Sequence, residues 1–565
     1  MRKFLAVPAG MGLLCVLPAA TSAQKTTVQI NTHSIALKCD DVSSGLCTDT
    51  YLHKSYEGKY VGHDEPSLLF YSDTPGAGNS SIYLFTLPKD SPVLPTQDGK
   101  GGTWNFQLHS AFWLGMALCD SQSFPEFTAK CDPDTDENVF DDDDPNSKHF
   151  IGKHPGTAFL EMQFYAPGWV DSPQLIDPQN YFAAMVVWSF SLSGATGLFN
   201  NKACLEQLGS AETPNFAVIT KNGVPLAPAN PAGANFGQSS FDLNNVLSMA
   251  PGDKLLVFIH DTEDGLEVAI RDLTTGVSGR MVATHKNGFG QVLYQPHSKT
   301  CNIEPYDFHP MYSTSTEHTR IPWAAHSYNI AFSDEIGHFE YCNSADPNTL
   351  ACTVPGVNDP SGLDADDVAC LTPDQSFFPP PPFQQIGGCL TSELDFDGVP
   401  YGLNWPGTST DLQKDASLHA DPIRFTSPVF QDDEGALHNY DRVAFETNVN
   451  VFEANCDFLV TGNGCVVPPP GVPFYPFFTT GSANNSSVCE WQEGGALIPG
   501  TTNTFGGSAT SEFGAPLFLL FQTGRHSAGF FVNDNRQILN HNPCTLDLNG
   551  SPGGNVPELI NRATE

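Results

Sequence analysis

The residues best placed to do chemistry lie in the run Ala158–Tyr165, Ala-Phe-Leu-Glu-Met-Gln-Phe-Tyr. Successive side chains of a strand point to opposite faces. Phe159, Glu161, Gln163 and Tyr165 therefore share one face, and Leu160, Met162 and Phe164 the other. The second set makes a core. The first joins aromatic rings, which stack on the apolar faces of sugars, to a carboxylate and a carboxamide that hydrogen-bond hydroxyls. Trp169, just beyond the run, adds stacking surface. Glu161 is the candidate acid, base or nucleophile, because Phe159 and Tyr165 beside it would exclude water. Other carboxylates near aromatic residues offer a second acid. They are Asp64 and Glu65 ahead of Phe70 and Tyr71, and Asp334 and Glu335 just after Phe332.

Two further sets of residues have metal-ligating chemistry. His309, His326 and His338 fall between Cys301 and Cys342, with Glu340 two residues after His338 on the same face of a strand. Together they could form a mononuclear site with an open position. No H-E-x-x-H pattern is present, so such a site would be assembled only by tertiary folding. Asp132, Asp134 and Asp136 alternate in an acidic loop that continues to Asp144, and Asp395 and Asp397 form a shorter version ahead of Gly398. Alternating aspartates in a turn offer hard oxygen ligands at the spacing calcium needs. Both loops resemble, over a few residues each, the calcium loops of thrombospondin type 3 repeats. That resemblance implies calcium as the bound cofactor.

Charge excludes several partners. The formal net charge is −38, a field that repels a phosphate backbone and an anionic membrane surface. Neutral polysaccharide remains compatible. No G-x-S-x-G elbow, phosphate loop or glycine-rich dinucleotide turn appears. Arg2 and Lys3 precede an apolar stretch, residues 4–20, broken by Pro8 and Pro18 and followed by Thr21-Ser22-Ala23. This is a signal-peptide pattern with the mature chain starting near Gln24, and it predicts a secreted, extracellular protein without membrane insertion. Of 15 cysteines, Cys15 would leave with the signal, and the even remainder predicts a disulfide framework. Sequons at Asn79, Asn484, Asn485 and Asn549 are candidate glycan sites.

The elements that must position these residues read as β-structure. The chain has 50 Gly, 45 Pro and 40 Phe and little helical periodicity. In residues 254–271, two alternating runs flank Glu263-Asp264-Gly265, a strong hairpin signal, and a third strand should follow Thr274-Thr275-Gly276. Similar runs at 81–87, 158–165, 216–220, 328–332, 442–451 and 517–522 predict an all-β protein of concanavalin-like or jelly-roll sandwich units with long disulfide-stapled loops. An acidic stretch and the prolines 379–382 suggest a linker at 346–389. That places an N-terminal unit at 24–345 and a C-terminal unit at 390–565.

On these residues the run around Glu161 resembles the catalytic strand of concanavalin-like glycosidases, whose acids stand on alternate residues. It holds one carboxylate where those enzymes have two or three, and retaining hydrolysis needs two flanking the bond. Glutamic peptidases of similar fold use a Glu and a Gln from different strands, a pair that Glu161 and Gln163, on one strand, mimic only loosely. The stretches 60–72, 154–169 and 306–342 are similar to parts of large secreted proteins of no assigned chemistry, a resemblance that implies an exported β-rich protein and no catalytic residue. The leading expectation is a carbohydrate-active protein, a glycoside hydrolase or a polysaccharide binder. The rivals are a structural protein of the cell envelope and a metal-dependent extracellular enzyme using the histidines.

Overall fold

The computed structural model describes residues 67–89, 111–119, 158–167, 179–190, 201–208, 212–233, 244–293, 295–310, 331–334, 342–345, 352–355, 421, 423–432, 434–449, 477–479, 489–493, 503–505, 513–523, 526–539 and 541–548, with single residues 92 and 315. In chain order the strands begin with β1 (Ser67–Tyr71), β2 (Ser80–Thr86), β3 (Phe112–Cys119), β4 (Ala158–Tyr165), β5 (Phe182–Phe190) and β6 (Glu212–Val218). Next come β7 (Lys254–Thr262), β8 (Gly265–Asp272), β9 (Ser278–Val282), β10 (Gly290–Val292), β11 (Ile303–Pro305) and β12 (His309–Pro310). Then follow β13 (Ala331–Asp334), β14 (Cys342–Ala345), β15 (Cys352–Pro355), β16 (Arg424–Thr426), β17 (Val429–Gln431) and β18 (Leu437–Asn439). The last are β19 (Arg442–Val449), β20 (Phe477–Thr479), β21 (Glu490–Glu493), β22 (Asn503–Phe505), β23 (Phe513–Thr523) and β24 (His526–Leu539). One short helix, α1 (Lys202–Leu208), interrupts them.

The strands form two large antiparallel sheets. The first runs β23-β24-β19-β1-β13-β3-β4-β5-β6, with β12 paired to β3; the second runs β22-β20-β21-β16-β2-β7-β8-β9, with β17 and β18 attached through β2. They pack face to face over one apolar core. Leu68 and Phe70 of β1, Leu114 and Met116 of β3, and Leu160 and Met162 of β4 enter it from the first sheet. Tyr83 and Phe85 of β2, Val257 and Ile259 of β7, and Val268 and Ile270 of β8 meet them from the second. Alternation along each strand sends these residues inward, and the residues between them point to the opposite face, which on β2 and β7 is apolar as well (Leu84 and Phe258). The fold is all-β, as expected.

The hairpin read from the sequence is present. β7 and β8 pair in register from Leu255↔Asp272 to Thr262↔Gly265, and β9 follows on β8. Gly265 has φ +129°, and a Cβ there would lie 2.7 Å from the Ala283 carbonyl oxygen. The position accepts only glycine.

The expected division at 346–389 separates the chain in sequence but not in the fold. β1 lies between β13 and β19, and β2 between β7 and β16, so strands from both sides of that stretch share both sheets. Two disulfides lie among the described residues, Cys204–Cys301 and Cys489–Cys544, closing separations of 97 and 55 residues. No helix among the described residues is long and apolar enough to cross a membrane.

Candidate functional site

Register across the first sheet brings residues of four strands onto one face. On the side away from the core, Glu161 of β4 pairs with Gly115 of β3 and Val186 of β5, and Val186 with Phe216 of β6. Gln163 stands in the row of Trp113 and Ala184, and Phe159 in the row of Ala117 and Trp188. Each polar residue therefore has one small neighbour, Gly115 beside Glu161 and Ala184 beside Gln163, with the aromatic residues Trp113, Phe159 and Trp188 in the same and the next rows.

The polar side chains form a continuous string. Trp188 Nε1–H donates to Glu161 Oε2 at 2.8 Å, and Gln163 Nε2–H donates to the same oxygen at 2.6 Å. The Tyr165 hydroxyl donates to Gln163 Oε1. Tyr165 stacks on Phe182 at 4.7 Å between ring centroids and meets Phe216 at 6.4 Å. Glu161 is 5 % exposed and Gln163 3 %. A carboxylate so buried is tolerable only because donors meet it. Phe216 and Pro214 on the edge strand β6 are half-buried, so the described part of this face is most open there.

The sequence reading placed Phe159, Glu161, Gln163 and Tyr165 together, and they are together. Phe159 is fully buried in the row that holds Trp188. Trp188 and Phe216 were missed. The candidate second acid Asp334 stands in the row of Phe112. Phe112 faces the core, whereas Glu161 stands in the row of Gly115 and Ala331. Glu446 of β19 is in register with Ser67, Ser333, Trp113 and Gln163. Four interstrand steps separate β19 from β4, about 19 Å at the usual spacing. Asp64, Glu65, Glu335 and Trp169 lie outside the described residues, as do Asp132, Asp134, Asp136, Asp395 and Asp397 of the acidic loops.

Of the histidine set, His309 is described, and His326, His338 and Glu340 are not. His309 Nδ1 lies 2.8 Å from Asp261 Oδ1. That hydrogen bond raises the histidine pKa against the lowering effect of burial. Two residues earlier, burial pushes Asp307 up, but hydrogen bonds from Thr284 Oγ1 (2.7 Å) and the His285 backbone N–H (2.6 Å) hold it below the usual carboxylate range. Among the described residues no group of three or more His, Cys, Asp or Glu is arranged to hold a metal.

Elsewhere burial also tunes a carboxylate. Glu304 of β11 is pushed up to about 7 by burial, only partly offset by a hydrogen bond from Gln291. An acid whose folded pKa is raised favours the fold when protonated. Its stabilisation is full below the unfolded value near 4.5 and is lost as pH rises to about 7. His309, raised as well, adds a loss above the ordinary histidine value. The unfolding midpoint should therefore fall between mildly acidic and neutral pH. Glu304→Gln should remove about 1 kcal/mol of that fall, a figure discounted for its half-exposed position. Urea unfolding of both proteins at acid and neutral pH checks this; parallel pH dependences would refute the assignment to Glu304.

No protein-family model and no curated protein matches the chain. One solved structure is similar: SCP-B, a member of the eqolisin family of peptidases, in complex with the tripeptide Ala-Ile-His. The identity is 9 %, the match covers 50 % of this chain and 65 % of that one, and the TM-score is 0.13. This chain thus spans a little under two thirds of that chain, and at this TM-score the likeness defines neither a shared fold nor a shared activity.

Proposed function

We propose that this chain is an exported carbohydrate-active protein that binds neutral polysaccharide at the β6 edge of its first sheet, where Phe216 and Pro214 are half-buried beside the buried string. The observation that carries the reading is the Trp188–Glu161–Gln163–Tyr165 string on a sheet face turned away from the core. A carboxylate and a carboxamide held among aromatic rings suit sugar hydroxyls and the apolar faces of sugar rings. The net charge of −38 favours an uncharged ligand. Binding is better supported than two-carboxylate hydrolysis. That chemistry needs carboxyl groups about 5–10 Å apart, and among the described residues the carboxylate in register with Gln163, Glu446, lies four strands from β4.

A second reading is favoured by the 2.6 Å contact between Gln163 and Glu161. One carboxylate acting as general base and one carboxamide donating to a developing oxyanion could hydrolyse a bond without a second acid.

A polysaccharide array, read for both binding and release of reducing ends, tests the two together. The binding reading expects retention of at least one neutral glycan and a drop of about tenfold or more on Phe216→Ala, since stacking aromatics supply much of such affinity. The hydrolytic reading expects turnover that Glu161→Gln abolishes while binding survives. Retention of no glycan by the purified protein would end the carbohydrate proposal.

A further inference from the structure

Of the four sequons, Asn79-Ser80-Ser81 falls among the described residues, at the entry to β2. A sequon needs a hydroxyl two residues after its asparagine. For the fold, that hydroxyl is a poor choice. Ser81 is fully buried on the inner face of β2, opposite Ile259 of β7. Its Oγ meets no partner in hydrogen-bond geometry, and its approach to Tyr83, two residues on, only opposes the rise that burial imposes on that phenol. A hydroxyl buried in this way costs stability, and an alanine would fill the position without that cost. Asn79 differs. Its backbone is fixed, the N–H donating to the Gly76 carbonyl and the carbonyl accepting from the Asp261 N–H, both at 2.9 Å. Its carboxamide makes no hydrogen bond among the described residues, and the residue is half-buried and not sealed from solvent.

We propose that Asn79 carries an N-linked glycan, attached before β2 enters the second sheet. The hydroxyl that the fold leaves idle then has its use in the unfolded chain, where the sequon is read. The transfer balances with an activated sugar diphosphate as co-reactant. Asn79 Nδ2 forms one bond to the anomeric carbon, the bond from that carbon to its phosphate breaks with its electron pair, and one amide proton is lost to base. The inference rests on the reading of the chain as exported, because the sugar donor is met on the export route.

The order follows from the sheet. Once folded, the sequon is locked on every side. Ser80 Oγ donates to the Gln431 carbonyl at 3.2 Å and accepts from the Gln431 N–H at 2.9 Å. The Tyr440 hydroxyl lies 2.9 Å from the carbonyl oxygens of both Ala77 and Ser80. An enzyme that must hold the Ser81 hydroxyl therefore needs this stretch out of the sheet. Topology supplies the time. Ser81 pairs with Ile259, about 180 residues further on, so at about 5–20 residues per second the sequon waits roughly 10–35 s for its partner strand. Val429 of β17, which pairs with Ile82, arrives later still.

The test expresses the full chain with its own leader in a secreting eukaryotic host. Glycans are removed from the secreted protein by N-glycosidase in heavy-oxygen water, which converts each occupied asparagine to a labelled aspartate read by peptide mass spectrometry. Most secreted molecules should carry the label at Asn79. Ser81→Ala should lose it, yet unfold at the same or a higher urea concentration than the enzymatically deglycosylated parent. For the order, unglycosylated full chain is offered to solubilised oligosaccharyltransferase with its sugar-diphosphate donor. Asn79 should be modified in the reduced, unfolded chain and not in the folded one. Secreted protein with Asn79 unlabelled would overturn the site, and so would a Ser81→Ala protein that keeps the label. A Ser81→Ala protein clearly less stable than the deglycosylated parent would overturn the argument from the idle hydroxyl. Equal modification of folded and unfolded chain would overturn the order. A chain retained in the cytosol would overturn the export reading, and this inference with it.

Discussion

Phe85→Ala is expected to lower the stability of the sandwich by about 3–5 kcal/mol, the cost of emptying a fully packed phenylalanine site. The expectation rests on where the ring sits. Phe85 comes from β2 of the second sheet and is 2 % exposed. Its edge meets Phe112 at 5.2 Å and Phe164 at 5.1 Å, near perpendicular to both. Those two rings, from neighbouring strands of the first sheet, stack on each other at 4.7 Å. One ring thus closes a three-ring contact between the sheets, and each aromatic pair adds about 0.5–1.5 kcal/mol beyond burial. Phe85→Leu, which keeps most of the volume, should cost markedly less. Urea unfolding followed by tryptophan fluorescence separates the cases. A loss below about 1 kcal/mol for Phe85→Ala would mean that the sheets are not held together here.

Because Phe164 is on β4, this prediction also bears on the candidate site. Phe164 faces the core and Gln163 and Tyr165 face away from it, so the packing of one face sets the height and tilt of the other.

What the sequence made legible follows from alternation. β4 was readable to the residue because Glu161 and Gln163 break an otherwise apolar run at period two. The hairpin of β7 and β8 was readable because Glu267 and Arg271 alternate with Leu266, Val268 and Ile270 on β8 and Asp264-Gly265 marks the turn. β3 and β5 gave no such signal. Their sequences, Phe-Trp-Leu-Gly-Met-Ala-Leu-Cys and Phe-Ala-Ala-Met-Val-Val-Trp-Ser-Phe, are apolar on both faces, because both faces are buried. A strand buried on both sides carries no polar beat. Trp188 was lost for that reason, although it supplies a donor to Glu161. The row of Asp334 and the distance of Glu446 depend on pairing between segments far apart in the chain, which no local pattern encodes. The proline run near 380 reads as a linker, while strands from both sides of it pair, β1 with β19 and β2 with β16, an arrangement no local pattern encodes.

The second large effect is expected at the opposite side of the molecule, on the outer face of the second sheet. Ile82 and Leu84 of β2, Leu256 and Phe258 of β7 and Val429 of β17 form a second apolar cluster there, and Leu546 covers it. The segment 541–548 is held in place at three points. Cys544 is joined to Cys489, just ahead of β21. Asn439 exchanges a pair of 2.9 Å hydrogen bonds with the backbone of Leu546, donating to its carbonyl and accepting from its N–H. Asn542 donates to the Tyr440 carbonyl through its side chain and to the Asp441 carbonyl through its backbone. Removing the covalent point by Cys489→Ser with Cys544→Ser should cost about 2–4 kcal/mol, since a long closed loop is released in the unfolded chain. Adding Asn439→Ala removes the paired amide contacts and should cost about 1–3 kcal/mol more, because it strands the Leu546 backbone groups. With both gone, Leu546 should lift and expose the cluster. Binding of a hydrophobic dye should rise sharply and proteolysis should begin within 541–548 before the sheets unfold. The Asn439→Ala protein with the disulfide intact should show the stability loss without the dye signal. If the triple variant binds no more dye than the parent and is cut no faster, the segment is not what covers this face, and the apolar cluster is held by the sheet alone.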